Sequence, residues 1–132
     1  MAAGVLAVGI SALINAYQYS LPIDQFGANE ASLLLSSILI FALFGIHPII
    51  TISAASTLLI NVDMNPNLLG ITFLMGWALG ISASPLSAIH LTMQGRYGLS
   101  AWQLLRGNLP FIGLMLAIDI LALHFYYSIP AS

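Results

Sequence analysis

The sequence predicts an all-α integral membrane protein that combines transmembrane helices with one re-entrant helical hairpin and one discontinuous helix. Three observations predict it. The chain is 60% hydrophobic and 5% charged, with a mean hydropathy of +1.02, whereas a soluble domain carries about a quarter charged residues. Its apolar residues gather into four blocks separated by short polar stretches. The second and third blocks each carry glycine, proline and hydrogen-bonding residues at their centre, where a plain span would have none.

Composition also excludes function classes. Two Lys/Arg leave no basic patch, so nucleic-acid binding has no electrostatic support. Cysteine is absent, which removes disulfides and thiolate metal sites. The opening MAAGVLAVGI is apolar but lacks a positive n-region, so it reads as a membrane segment rather than a cleaved signal peptide. No repeat or linker divides residues 1–132, and a single transmembrane domain is expected.

The first block, about 2–19, is long enough to cross a hydrocarbon core of about 30 Å. The second, about 31–60, would measure about 45 Å as one helix. Gly45-Ile46-His47-Pro48 interrupts it, and its flanks ASLLLSSILIFALF and IITISAASTLLI would each reach only about 20 Å. It is therefore a re-entrant hairpin with its tip at Gly45–Pro48, or a kinked span. Arg96 and Arg106, the only basic residues, follow the third block, which makes that loop cytoplasmic by the positive-inside rule. The hairpin alternative puts Asp24, Glu30 and Asp63 on the opposite face.

The third block, about 66–94, opens with Asn65-Pro66, an N-cap followed by a first-turn proline. Ser84-Pro85 repeats that signature within GISASPLSAIH. The reading is a half-helix to about Leu79, unwound Gly80–Ser84, and a second half to about Gln94; the plainer alternative is a continuous helix kinked at Pro85. A short interfacial helix is expected over about 99–106, from the Ser100–Gln103 capping box to a stop at Gly107. The last span, about 109–127, ends in Phe125-Tyr126-Tyr127, an aromatic belt.

Unwound backbone at membrane depth needs protein or a wet cavity around it, and transporters build sites there. Carbonyls near Gly80, Ser82, Ala83 and Ser84 are candidates for holding Na⁺. The free N–H groups at Leu86 and Ser87 and the Ser87 hydroxyl are candidates for an anion. His90 lies about one turn further on. At the tip, His47 is a donor or proton carrier, with Gly45, Pro48, Thr51 and Ser53 beside it. The alternative for both histidines is a packing role, and His124 beside the terminal tyrosines reads as interfacial. Ser32, Ser36, Ser37, Ser56 and Thr57 read as small-residue packing. Asp119, near the middle of the last span, is either a protonatable coupling residue or a structural aspartate between helices.

The run GIHPIITISAASTLL, then GWALGISASPLSAIHLTMQGRYGLSAWQLLR, then one terminal span resembles the C-terminal repeat of an Ion Transporter superfamily carrier. That superfamily includes divalent-anion/Na⁺ symporters, citrate and dicarboxylate carriers, and arsenite or Na⁺/H⁺ antiporters. The likeness covers about residues 31–127, and AAGVLAVGISAL resembles the span before the hairpin. Where dicarboxylate carriers show Ser-Asn-Thr at the tip and a Thr-Pro-Pro-Asn-like turn, this chain has Gly45-Ile46-His47-Pro48 and Ser82-Ala83-Ser84-Pro85. The resemblance implies a secondary active transporter module in a cell membrane, such as the bacterial inner membrane. It would move a small anion or organic acid by alternating access, with Na⁺ or H⁺ as coupling ion and no further cofactor. It also implies partners besides the lipid bilayer: the expectation is a C-terminal fragment of a longer carrier whose first repeat is the partner, the alternatives a second copy or another subunit. The rival expectation is a non-transporting scaffold or assembly subunit with kinked packing helices. One carboxylate without a second acid, metal set or activated nucleophile argues against an enzyme.

Overall fold

A computed structural model describes residues 2–17 and 23–130; residues 18 and 19 of the expected first span lie outside them. The fold is all-α, with helices α1 (Ala2–Ala16), α2 (Ala28–Leu43), α3 (Pro48–Leu58), α4 (Pro66–Ala83), α5 (Ala88–Tyr97) and α6 (Ala101–Ser128). Two short strands, β1 (Gln25–Phe26) and β2 (Asp63–Met64), pair in parallel, Gln25 beside Asp63 and Phe26 beside Met64.

That pairing organises the molecule. β1 leads into α2 and β2 follows α3, so the start of α2 and the end of α3 lie side by side at a common base. α2 and α3 thus form a helical hairpin. Glu30 anchors its entry by accepting from the Gly27 N–H at 2.9 Å. α4 leaves the same base beside α2 and runs parallel to it: Gly76 meets Ile38, and Gly80 meets Ala42 and Pro48. α6 returns antiparallel to α4, bringing Tyr127 back to Gly27 and His124 Nε2 to 3.2 Å from Asn29 Oδ1. α1 packs on α3, where the Ser11 hydroxyl donates to the Ser53 carbonyl at 3.4 Å.

The core lies between α2, α4 and α6, around Leu35, Ile38, Leu68 and Leu123, all fully buried. Outside it, large apolar side chains stand exposed on α1, α2, α4, α5 and α6, among them Val5 (73%), Leu74 (73%) and Phe125 (70%). By length and composition, two helical stretches can cross a membrane: Pro66–Tyr97, counted through its short break, and Ala101–Ser128.

Two sequence expectations change here. Gly107 does not end a helix: the interfacial helix over 99–106 and the span over 109–127 are one helix, α6, with Pro110 inside it. Its start is as expected, Ser100 and Gln103 capping each other's N–H groups at 3.2 and 2.9 Å. The second correction concerns the break in the third block. Gly80–Ala83 is helical, and only Ser84–Ser87 lies outside α4 and α5. Proline disfavours the helical conformation in the residue before it, and Ser84 is extended, with ψ at 121°. A helical glycine only loses about 1 kcal/mol, so Gly80 stays in the helix.

Candidate functional site at the two chain breaks

The first break is a tight cap-to-cap link. Gly45 takes φ +87°. Its N–H donates to Ala42 O at 2.9 Å and the Ile46 N–H to Phe41 O at 3.0 Å. This pair of bonds is a Schellman C-cap, which needs a residue tolerant of positive φ. His47 then caps α3, with Pro48 in its first turn; the His47 Nδ1 accepts from the Ile49 N–H at 3.3 Å. A backbone N–H can only donate, so Nδ1 carries the lone pair and Nε2 the proton. Nε2 has no hydrogen-bond partner among the described residues. The ring stands edge-on to Trp77, with centroids 5.6 Å apart.

The second break is a turn. Ser87 N–H donates to Ser84 O at 3.1 Å across Pro85 and Leu86, with proline in the position that favours its fixed φ. Ser87 Oγ then caps α5 by accepting from His90 N–H at 3.3 Å. Ser84 is 3% exposed and Ser87 5%. The Ser84 hydroxyl has no hydrogen-bond partner among the described residues.

The fold brings the two breaks together. Pro48 rests on Gly80, and Leu86 on Gly45. Between them lies a cavity of about 100 Å³, lined by His47, Pro48, Ile81, Ser84, Ser87, Ala88 and Ile89. Ala88 and Ile89 open α5, so their N–H groups have no carbonyl to meet within that helix.

Several expected site residues lie elsewhere. Thr51 faces a separate apolar groove of about 420 Å³ between α2 and α3, with Leu34, Phe41 and Ala55. Ser82 turns its hydroxyl back to Ala78 O at 3.1 Å. Of the carbonyls near Gly80, Ser82, Ala83 and Ser84, three meet donors within the fold. Gly80 O accepts from Ser84 N–H at 2.9 Å, and Ser82 O lies 3.4 Å from Asn108 Nδ2. Ser84 O accepts from Ser87 N–H and from the His90 ring. Gly80 itself is packed closely against Pro48.

His90, 3% exposed, bonds at both ring nitrogens. Nδ1 donates to Ser84 O at 2.6 Å, since a carbonyl can only accept; Nε2 then accepts from Asn108 Nδ2 at 3.2 Å. The ring fastens α4, α5 and α6 together and is absent from the cavity wall. Asn108, the polar partner that the sequence did not single out, meets residues 18 and 26 positions away. An asparagine on an apolar helix was its one signal.

The second break stands at the end of α4, 18 residues from the base, or about 27 Å at 1.5 Å per residue. Asp119 is eleven positions beyond Asn108 on α6, about 16 Å from the cavity level, and is half-buried. The structure does not bring it to the breaks.

Ser32, Ser36, Ser37 and Thr57 each donate to a carbonyl one turn back in their own helix, at 2.8 to 3.0 Å. No family model, curated protein or solved structure matches this chain.

Proposed function

We propose that this chain is a module of a secondary active transporter that moves a small anion or organic acid by alternating access, coupled to H⁺ or Na⁺. One observation carries the reading: the hairpin tip and the second break meet around a cavity with polar donors and no competing partner for the Ser84 hydroxyl. Nothing in ordinary helix packing requires two breaks to face each other across a space.

In this reading the chain crosses the membrane several times. α2 and α3 form a deep re-entrant hairpin that enters and leaves at the face carrying Asp24, Glu30 and Asp63. α4 and α5 are the halves of a discontinuous helix, and Arg96 and Arg106 lie on the cytoplasmic side. The exposed apolar side chains meet lipid and a partner, either a first repeat of the same carrier or a second copy. H⁺ fits the coupling better than Na⁺. His47 has an Nε2–H free for the cavity, and protonating Nδ1 would expel the Ile49 N–H that caps α3. The substrate site and the tip would then respond to the same proton.

The test is flux. The chain is purified from membranes with any partner it holds and reconstituted into vesicles, and uptake of radiolabelled formate or acetate is followed under an imposed pH or Na⁺ gradient. Gradient-driven uptake is expected, with the initial rate reduced at least tenfold in Ser84→Ala and unchanged in Gly70→Ala. Uptake no faster than in protein-free vesicles would defeat the reading.

A scaffold subunit is the second reading. The contact of Pro48 with Gly80 and the fastening of His90 to Asn108 favour it, since both serve packing. It predicts that Ser84→Ala and His47→Gln alter neither flux nor the association of partner chains, while Gly80→Ala disrupts assembly.

A further inference from the structure

We infer that the cavity between the breaks is a site for one compact monovalent anion and rejects dianions, dicarboxylates included; this rests on the transport reading only for its physiological use. The space is small, about 100 Å³, and suits a compact anion such as chloride or formate.

The wall is neutral. Its polar side chains, those of His47, Ser84 and Ser87, each keep a hydrogen unspent among the described residues. The Ser84 hydroxyl has no partner among the described residues. Ser87 Oγ accepts from the His90 N–H, so its own hydrogen remains to give. His47 also lines the space, as do Ala88 and Ile89, whose N–H groups open α5 and have no carbonyl to meet within it. A helix N-terminus alone would say little, but here the hydroxyl of Ser84, a residue 3% exposed, lines the same space with no hydrogen-bond partner among the described residues. No carboxylate lines the wall, and neither arginine does.

Hydrogen bonds from neutral donors and the partial positive charge of a helix start can offset one buried negative charge. A second negative charge would need a cation, because an unpaired buried ion is very costly. Arg96 and Arg106 are exposed, and Arg106 is committed to the face of Trp102, 5.9 Å from its centroid. They lie on the cavity's side of the molecule and raise the local anion concentration without entering the site.

The protein carries its own reporter. Trp77 touches the His47 ring, and Trp102 is the only other tryptophan. In a Trp102→Phe variant, titrating chloride and formate is expected to change Trp77 emission saturably, while sulfate and succinate leave it unchanged. Ser84→Ala removes a hydroxyl that bonds nothing in the fold. It should weaken binding on the order of tenfold to a hundredfold, the worth of one hydrogen bond to a charged group, and Ser84→Thr should restore much of it. Sulfate or succinate binding as tightly as formate, emission that no anion alters, or an indifferent Ser84→Ala would each overturn the inference. Selective binding without flux in vesicles would leave this site standing and remove the transport reading. Flux of succinate without that selectivity would do the reverse.

Discussion

The ring of Pro48 lies so close to Gly80 that a Cβ on residue 80 would overlap Pro48 Cγ and approach Pro48 Cβ to 3.1 Å. A proline ring cannot swing aside, so the tip of the α2–α3 hairpin is seated on α4 through the absence of one methyl group. Gly80→Ala should cost about 1–3 kcal/mol, as overpacking does. At Gly76 the added Cβ meets Ile38 Cδ1 at 2.8 Å, the far end of a flexible side chain, and the loss should be smaller. At Gly70 it meets nothing within 4 Å, and the gain in helix preference should stabilise by about 0.5–1 kcal/mol. Denaturation in detergent micelles would rank the three. A Gly80→Ala protein as stable as Gly70→Ala would mean that the tip is not seated there.

Gly45 makes a second, different demand. Its φ of +87° is a conformation that residues with a Cβ rarely adopt, and the cost of forcing one there is roughly 1–2 kcal/mol. A Cβ at 45 would also stand 3.1 Å from Leu86 Cδ1, within the second break. Gly45→Ala should therefore lower stability and disturb Trp77 emission together, while Gly45→Asn loses less. Gly98, at φ +66° with open space around it, is the control. Gly98→Ala should lower stability and leave Trp77 untouched. Equal emission changes in the two alanine variants would break the link between tip and break.

These contacts show which parts of the molecule the sequence displays. Local chemistry is legible: Asn65 caps α4 by accepting from the Asn67 N–H at 2.9 Å, Ser100 and Gln103 cap α6, and both breaks fall at the proline-bearing motifs. Long-range use is not. A glycine reads as a breaker, yet Gly80 is needed by a ring 32 positions away, and Gly107 with Pro110 reads as a boundary inside a helix that continues. Proline in that helix loses one backbone bond, a local deficit that the packed remainder of α6 outweighs. The His90–Asn108 contact is invisible until α5 and α6 are laid side by side.

That contact supplies the next prediction. Removing the Asn108 amide leaves the buried His90 Nε2 without its donor and frees Ser82 O. Asn108→Ala should cost about 1–3 kcal/mol, the penalty for orphaning buried polar groups. Because one contact joins the two residues, a double-mutant cycle of His90→Ala with Asn108→Ala should show a coupling of about 0.5–3 kcal/mol. Additive losses would show that His90 is held by Ser84 alone.

The hairpin itself is open to the most direct test, because the chain has no cysteine of its own. Gln25 and Asp63 are register partners in the parallel pair, and neighbouring strands stand about 4.8 Å apart, within the span that a disulfide bridges. Gln25→Cys with Asp63→Cys should therefore crosslink on mild oxidation in membranes. Single cysteines at Gln25 and Asn61, both exposed, should label from one face, and one at the exposed Tyr97 from the other. Tyr97 is preferable to Gly98 for this purpose, since Gly98 needs its positive φ. Crosslinking at 25 and 63 fixes the two ends of the hairpin at one level, and an α2–α3 unit that starts and finishes there cannot cross the layer once. If Gln25 and Asn61 label from opposite faces and the pair never crosslinks, residues 31–60 form a kinked span. The cavity would then lose the tip that builds half of it.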